Sequence, residues 1–352
     1  MTDDVLILRD EALGRIRLNR PRAIHALTRD MCEAISAALL EWRGDGGVEA
    51  VVIDHAEGRG FCAGGDVVTL ARSGAADGSE AAAFFHAEYR LNHLLFTYPK
   101  PVVAVMDGIT MGGGVGIALP CTHRIATENT RLAMPETGIG LFPDVGGGWY
   151  LSRLPGRVGQ FMALTGARLD GAECHYLGLA THYVPAEALP GLIERIVAAP
   201  ARLAGALGAA AVHSPLPRIA ASESAIAKLF SADDLEDIFA ALEADGGDWA
   251  NSELATLRSK SPLSCKVSLR LLEESAARAS FAEEMTAEYA LATRVVRTHD
   301  FIEGVRSVLI DKDNQPAWHP PRPDQVTDAV VDAMFEPLPE GERWTPFPET
   351  EA

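Results

Sequence analysis

The strongest constraint on the fold is an alternation of apolar strands, glycine-rich loops and helices between residues 50 and 127. Two continuous apolar runs, at 50–54 and 101–106, are typical of strands that are buried on both faces. Each run is followed by a glycine-rich loop, at 57–65 and at 108–116, and each loop leads into a helical pattern. A further strand is predicted at 124–127. This alternation predicts a sheet covered by helices, which is an α/β fold.

The segment before this alternation predicts a hairpin and a helix. Two short apolar runs, at 5–8 and 15–18, are separated by a polar turn and predict an opening β-hairpin. Thr28 is a favourable N-cap, and apolar residues at helical spacing follow it. We therefore predict a helix over 29–43.

The pattern becomes mainly helical from residue 156 onward. Residues 179–184 predict one last strand, and the alanine-rich stretch at 201–211 is compatible with a helix or a linker. Prolines fix φ and remove backbone donors, so the tail at 316–323 is not expected to be helical. The remaining helices are predicted at about 186–198, 219–230, 233–244, 249–260, 264–278 and 281–298.

Charge and cysteine usage exclude several classes of protein. The 31 lysines and arginines stand against 49 aspartates and glutamates, which gives a net charge of −18. A nucleic-acid-binding protein needs a basic face, so we expect no nucleic-acid partner. The five cysteines are widely spaced and form no Cys-x-x-Cys pair, which predicts neither a disulfide framework nor a metal site. Free thiols are typical of a reducing compartment.

The N-terminal residues and the apolar runs predict a cytoplasmic protein with no membrane partner. The chain starts Met-Thr-Asp-Asp, whereas a signal peptide has a basic start and a transit peptide avoids acidic residues. No apolar run approaches the length of a membrane span.

The two glycine-rich loops are the first candidate for chemistry. Glycine lets a backbone approach a ligand closely and lets N–H groups point outward. Two such loops after neighbouring strands could direct two N–H groups at one oxygen, as in an oxyanion hole for acyl chemistry. The alternative is that the glycines only serve tight turns between strand and helix.

A third segment, at 134–148, carries two carboxylates in a loop rich in glycine and proline. Glu136 and Asp144 lie among apolar residues, where burial would raise the pKa of a carboxyl group towards neutrality. Either residue would then be a usable acid or base. The alternative is that both side chains cap loop structure.

Taken together, these segments resemble the enoyl-CoA hydratase/isomerase (crotonase) superfamily. The resemblance covers residues 5–185. The motifs that carry it are Asn19-Arg20-Pro21, Phe-Cys-Ala-Gly-Gly-Asp at 61–66, Gly-x-x-Met-Gly-Gly-Gly at 108–114, Pro135-Glu136, the glycines at 146–148 and Leu164-Thr165-Gly166.

The resemblance implies a fold and an oxyanion hole. The fold is a crotonase-like spiral of ββα turns with a mainly helical C-terminal region. We divide the chain accordingly into a spiral core with the CoA and catalytic site, 1–198, and a helical region with the proline-rich tail, 199–352. The carbonyl of a CoA thioester would lie between the N–H groups of Gly65 and Gly113.

One departure from the family pattern separates its branches. Hydratases of the family carry a catalytic glutamate two residues after the triple glycine, where this chain has Gly116. A single carboxylate cannot easily both activate a water and protonate the α-carbon, so hydration is disfavoured. The chain instead resembles the branch that hydrolyses hydroxyacyl-CoA thioesters. The stretches that carry this second resemblance are 88–92, 108–116, 134–148, 180–182, 261–266, 299–306 and 308–313.

The resemblance also assigns roles to single residues. Glu136 is the expected catalytic carboxylate, as a general base or as a nucleophile, and Asp144 would bind the substrate hydroxyl or assist proton transfer. Glu88 is expected to contact the substrate. The residues expected to line the CoA groove are Ala63, Gly64 and Asp66, with Arg22 as a candidate for a CoA phosphate or simply an exposed arginine.

Three functions remain open from the sequence: a hydroxyacyl-CoA thioesterase, a hydratase or isomerase of the same superfamily, and a non-catalytic acyl-CoA binder. The carboxylates at 136 and 144 favour the first. CoA is then part of the substrate, and neither a cofactor nor a metal is expected. A homo-oligomer is compatible with the resemblance.

Overall fold

The computed structural model describes residues 2–348 as a large sheet, a small sheet and a shell of helices. The domain bounds predicted at residue 1 and at residues 349–352 lie outside the described residues. The strands are β1 (Val5–Asp10), β2 (Leu13–Leu18), β3 (Ala50–His55), β4 (Gly60–Cys62), β5 (Val102–Met106), β6 (Ile109–Met111), β7 (His123–Ala126), β8 (Arg131–Ala133), β9 (Leu169–Asp170) and β10 (His182–Tyr183).

The large sheet has the order β1-β2-β3-β5-β7-β10. β1 and β2 form the predicted antiparallel hairpin, and every later neighbour is parallel. All residues of β5, and the first five of β3, are buried, in agreement with their continuous apolar sequences. The predicted last strand at 179–184 is reduced to β10.

The small sheet has the order β4-β6-β8-β9, and its first three strands are parallel. β4 follows β3, β6 follows β5, and β8 follows β7, so each turn of the chain adds one strand to each sheet. Helices follow β4, β6 and β8 and complete three ββα turns. The expected spiral of ββα turns is therefore confirmed. The three-residue strands lie partly within or beside the glycine-rich loops, where sequence periodicity is too short to reveal them.

The helices of the first half pack around the spiral. The predicted helix at 29–43 is confirmed as the first of them, and the Thr28 hydroxyl accepts a hydrogen bond from the Met31 N–H at 3.3 Å. These helices are α1 (Arg29–Gly44), α2 (Val67–Gly74), α3 (Ser79–Phe96), α4 (Gly113–Ala118), α5 (Gly147–Leu151), α6 (Val158–Thr165) and α7 (Gly171–Tyr176).

The second half is mainly helical, as expected. The six predicted helices are confirmed within a few residues, and the alanine-rich stretch contains α9. The helices are α8 (Leu189–Ala198), α9 (Leu203–Ala210), α10 (Glu223–Leu229), α11 (Leu235–Asp245), α12 (Asp248–Arg258), α13 (Pro262–Ala277), α14 (Phe281–Val295), α15 (His299–Val305), a π-helical turn (Arg306–Ile310) and α16 (Asp328–Phe335). No α-helix forms over 316–323.

The main hydrophobic core extends across the predicted boundary at 198/199. Phe85 and Tyr89 of α3 belong to the same buried cluster as Leu271 of α13 and Met285 of α14. The C-terminal helices thus pack directly on the spiral, and the division into 1–198 and 199–352 stays a prediction. From residue 2 to residue 348, no helix is long and apolar enough to span a membrane.

Candidate active site

A cavity of about 1140 Å³ lies between the two glycine-rich segments and the C-terminal part of the chain. Its walls come from the loops around β4 and β6, from α3, from the 134–148 segment and from residues 308–318. The cavity brings together all nine residues predicted for the site: Arg22, Ala63, Gly64, Gly65, Asp66, Glu88, Gly113, Glu136 and Asp144.

The two expected oxyanion-hole glycines lie side by side. A β-carbon placed on Gly113 would be 3.2 Å from the Gly65 nitrogen and 2.4 Å from Glu88 Oε1, so a side chain has no room there. An isolated parallel β-bridge pairs Gly65 with Leu27. In this bridge the Leu27 N–H donates to the Gly64 carbonyl at 2.7 Å, and the Asp66 N–H donates to the Leu27 carbonyl at 2.9 Å. The N–H of the intervening Gly65 therefore points to the opposite side, as in any extended pairing.

Three carboxylates meet in the cavity and are almost completely buried. The exposed fraction is 2% for Glu88 and 5% for both Glu136 and Asp144. Burial raises the pKa of Glu88 and of Glu136 well above the usual range, and the negative charge of Asp144 raises both further. Burial also raises the pKa of Asp144, to about 6. Burial and the repulsion between neighbouring negative charges therefore favour the protonated form of these carboxyl groups.

The hydrogen bonds of these carboxylates differ. The Tyr89 hydroxyl donates to Asp144 Oδ2 at 2.7 Å. By contrast, Glu88 Oε1 and Glu136 Oε2 are buried without a hydrogen-bond partner among residues 2–348. A buried polar atom without a partner is uncommon in folded proteins and indicates a place for a ligand. Both atoms line the cavity that the glycines border.

The position of the missing hydratase glutamate is filled by other groups. A β-carbon on Gly116 would lie 2.5 Å from Val145 Cβ and 2.9 Å from Asn92 Nδ2. The Asn92 amide donates to the Gly116 carbonyl at 2.9 Å, which fixes this arrangement. A glutamate at 116 could not enter the cavity unless Val145 and Asn92 moved.

Asp66 and Cys62 have structural partners in addition to their places in the loop. Asp66 pairs with Arg20 at 2.9 Å and caps α2 through the Thr69 N–H. The Cys62 thiol donates to the His25 carbonyl at 3.2 Å, and burial raises its pKa to about 12. Cys62 is therefore protonated and unreactive at neutral pH, as expected for a packing residue.

Of the basic residues around the cavity, only Arg22 was predicted from the sequence. Arg22 lies exposed at its rim, as one of several cations whose positions in the sequence are far apart. Because they are local to the cavity, an anionic ligand can bind despite the net charge of −18. Apart from Arg22, the basic lining residues are Arg20, Arg59, Arg168, Arg258, Lys260 and Lys312.

The described residues contain no group of three or more His, Cys, Asp or Glu side chains arranged to hold a metal ion. All five cysteines are free and buried.

Comparisons with known proteins show the family of the chain. A family model described as Enoyl-CoA hydratase/isomerase matches residues 13–335. A Xenopus tropicalis protein named "3-hydroxyisobutyryl-CoA hydrolase, mitochondrial" is 42% identical over 345 residues, which cover 95% of this chain and 89% of that protein.

Two solved structures match almost the whole fold. A structure titled as a carnitinyl-CoA dehydratase from Mycobacterium thermoresistibile has a TM-score of 0.94 and 38% identity, covering 99% of this chain and all of that one. A structure titled as an enoyl-CoA hydratase from Rhodobacter sphaeroides has a TM-score of 0.91 and 39% identity, covering 97% of this chain and all of that one.

Proposed function

Since the chain belongs to the enoyl-CoA hydratase/isomerase family, we propose that it is the family's thioesterase type and hydrolyses 3-hydroxyisobutyryl-CoA to 3-hydroxyisobutyrate and CoA. The observation that carries this proposal is that no side chain fits at Gly116. Val145 and Asn92 occupy the place of a second hydratase glutamate, while Glu136 remains buried with an unpartnered oxygen. 3-Hydroxypropionyl-CoA, which lacks only a methyl group, is a second expected substrate.

Glu136 is proposed as the carboxylate that starts the reaction. As a base, it takes a proton from water while the water oxygen adds to the thioester carbonyl carbon. The carbonyl electron pair moves onto oxygen, which the N–H groups of Gly65 and Gly113 stabilise. When the pair returns, the C–S bond breaks and the proton on Glu136 passes to the CoA thiolate. Each oxyanion donor is worth about 3–4 kcal/mol in the transition state.

As a nucleophile, Glu136 would instead attack the carbonyl carbon and expel CoA, leaving a mixed anhydride that water cleaves. Label from H₂¹⁸O in the Glu136 side chain after a single turnover, found by peptide mass spectrometry, supports an anhydride that water cleaves at the glutamyl carbonyl. Trapping with hydroxylamine, which converts the glutamyl carbonyl of an anhydride to a stable hydroxamate, detects the intermediate whichever carbonyl water attacks. Neither label nor hydroxamate on Glu136 supports general-base catalysis.

Asp144 and Glu88 are proposed to bind the acyl group. Asp144 Oδ2 already accepts the Tyr89 hydroxyl, which orients the carboxylate. A substrate 3-hydroxyl can donate to the remaining lone pairs of Asp144, and Glu88 Oε1 offers a further unpartnered acceptor beside Gly113. These buried acceptors favour an acyl chain that carries a hydroxyl over one that does not.

CoA itself is proposed to lie in the groove that the first glycine loop borders. Backbone groups of Ala63, Gly64 and Asp66 would contact the nucleotide end, and Arg22 at the rim is a candidate for a phosphate. The reaction as written needs no cofactor and no metal ion, so we expect full activity in the presence of EDTA.

Thiol release from 3-hydroxyisobutyryl-CoA tests the proposed function directly. We expect free CoA from the wild-type protein and near-complete loss in Glu136→Gln, because the amide can neither accept a proton nor attack. Glu173→Gln is the matched control: Glu173 is equally buried but lies outside the cavity, and its carboxylate accepts the Ile219 N–H at 2.9 Å. No thiol release from the wild-type protein would contradict the proposal.

A hydratase or dehydratase reaction is the second candidate, because the two solved structures carry such titles. Crotonyl-CoA hydration, run in parallel, tests it. Conversion of crotonyl-CoA faster than thioester hydrolysis would favour this candidate. It would mean that Glu136 works together with an acidic group at a position other than 116. A non-catalytic binder would show neither reaction and would bind CoA equally well in Glu136→Gln.

We further propose that the chain acts in valine catabolism in the cytoplasm. The free thiols support a reducing compartment, although the Xenopus tropicalis relative is named as mitochondrial. Cell fractionation with an antibody against the chain tests the location. A homo-oligomer stays a prediction that light scattering can check.

A further inference from the structure

Two buried glutamates of α14 lie behind the active site and have no part in the proposed reaction. Glu288 is fully buried, and its carboxylate accepts hydrogen bonds from the N–H groups of Gly146 at 2.7 Å and Gly148 at 3.1 Å. Glu284, one helical turn earlier, accepts hydrogen bonds from the Ser275 hydroxyl at 2.6 Å and from Arg278 at 3.0 Å. Burial, and next the negative charge of Glu284, raise the pKa of Glu288 well above its usual range. Burying a carboxylate is unfavourable unless such partners compensate it, so this cluster requires an explanation.

The segment that Glu288 holds is the turn that carries Asp144. Val145 follows Asp144 directly and has a φ of 55°, a left-handed conformation that β-branched residues rarely adopt. Strain of this kind persists only where the surroundings maintain it. The bonds from Gly146 and Gly148 to Glu288 begin immediately after the strained residue, and the Gly147 N–H donates to the Asp144 carbonyl at 2.7 Å across the same turn.

The strained conformation has two effects on the site. It directs the Asp144 carboxylate into the cavity, where the Tyr89 hydroxyl meets it. It also turns the Val145 side chain towards Gly116, into the space of the missing glutamate. A relaxed turn would change both positions together.

We propose that Glu288 is a positioning residue, which holds the strained Val145 turn and so places the Asp144 carboxylate against the acyl group of the substrate. This role rests on the proposed function, because it requires Asp144 to contact the substrate hydroxyl. It gives the C-terminal helices a part in the site, since Glu288 lies 142 residues beyond Gly146 in the sequence.

Glu288→Gln tests this role with almost no change in volume. A carboxylate has two oxygens and can accept both N–H groups, whereas a carboxamide has one oxygen and one NH₂. One of the two backbone N–H groups would then face a donor, and the turn would relax. A displacement of about 1 Å at Asp144 is expected to lower activity about 10- to 100-fold.

Two substrates separate positioning from general loss of structure. We compare 3-hydroxyisobutyryl-CoA with isobutyryl-CoA, which lacks the hydroxyl. Glu288→Gln is expected to lower kcat/KM about 10- to 100-fold on the first, mainly through kcat, and less than about 3-fold on the second. The selectivity for the hydroxylated substrate therefore falls.

Glu173→Gln is again the matched control. Glu173 also accepts two backbone N–H groups, those of Asp170 at 2.8 Å and Ile219 at 2.9 Å, but it lies outside the cavity. Its replacement is expected to lower the urea midpoint of unfolding without changing the ratio of the two substrates.

The outcomes distinguish this proposal from the proposed function. A wild-type protein that releases no CoA overturns both. An active wild-type protein overturns the Glu288 role alone if it does not prefer the hydroxylated substrate, or if Glu288→Gln loses both substrates equally. If Glu288→Gln fails to fold, Glu288→Asp, which keeps both carboxyl oxygens but is shorter by one methylene, is tested with the same ratio of the two substrates.

Discussion

Replacing Asp144 by asparagine is expected to stabilise the protein while it abolishes the advantage of the hydroxylated substrate. The pKa of Asp144 is raised from 3.8 to about 6 because the side chain is buried. Between these two pH values the folded chain binds more protons than the unfolded chain. The protonated carboxyl group of Asp144 therefore favours the folded state at low pH, and this contribution is lost as the pH rises through about 6.

The size of the effect follows from the two pKa values. They differ by about 2 pH units, and each unit is worth about 1.4 kcal/mol. At pH 8 the ionised Asp144 side chain thus lowers the free energy of unfolding by about 3 kcal/mol, and at pH 5 by about 1.5 kcal/mol. Asparagine keeps an oxygen for the Tyr89 hydroxyl at 2.7 Å and never ionises, so Asp144→Asn should recover these amounts.

Urea unfolding of the wild-type protein and of Asp144→Asn at both pH values is the assay. Asp54→Asn is the control, because Asp54 is also buried, with 7% exposure, but pairs with Arg15 at 2.5 Å and Arg17 at 3.0 Å. Its replacement removes the negative charge that both arginines contact and should destabilise the protein. An Asp144→Asn protein that is no more stable than the wild type at pH 8, or whose gain is the same at pH 5, would refute the reasoning.

Three further predictions concern catalysis, the filled position and the thiols. Burial raises the pKa of Glu136 well above 4.5, and the reaction needs its ionised form. We therefore expect kcat/KM to rise with pH through this raised pKa, which a pH profile from about pH 5 to 9 measures. Gly116→Glu should not create crotonyl-CoA hydration and should lower the urea midpoint, because Val145 fills the space; active hydration would show that the space opens readily. Burial raises the pKa of Cys62 and of Cys121 to about 12, so a thiol reagent should titrate the five cysteines only in denaturant; rapid reaction of the native protein would contradict their burial.

The sequence was sufficient for the candidate site wherever residues close in the chain carry it. The two glycine loops and the 134–148 segment are local patterns, and their residues do line one cavity. The buried strands β3 and β5 were predicted for the same reason, since five or six consecutive residues contain the whole apolar pattern.

Features that depend on long-range contacts were not predictable from one sequence. Glu288 is an acidic residue within a predicted helix, and nothing near it in the chain indicates that it meets the turn after Asp144. Likewise Arg59, Arg168 and Lys312 reach one cavity from three distant segments. The packing of α14 on the spiral brings Glu288 to this turn, and the π-helical turn before Lys312 packs against α2 beside the cavity.

The distance in sequence between Gly146 and Glu288 also sets an order of events during synthesis. At about 5–20 residues per second, the 142 residues between them take about 7 to 30 s to emerge. During this interval the rest of the spiral is made, but α14 is still absent, so Glu288 cannot accept the N–H groups of the turn after Asp144. Pulsed hydrogen exchange on a chain that ends before Phe281 should find these amides unprotected. The side chains of Glu284 and Glu288 therefore leave water only when α14 packs on the finished spiral, so their unfavourable burial coincides with the formation of the contacts that compensate it.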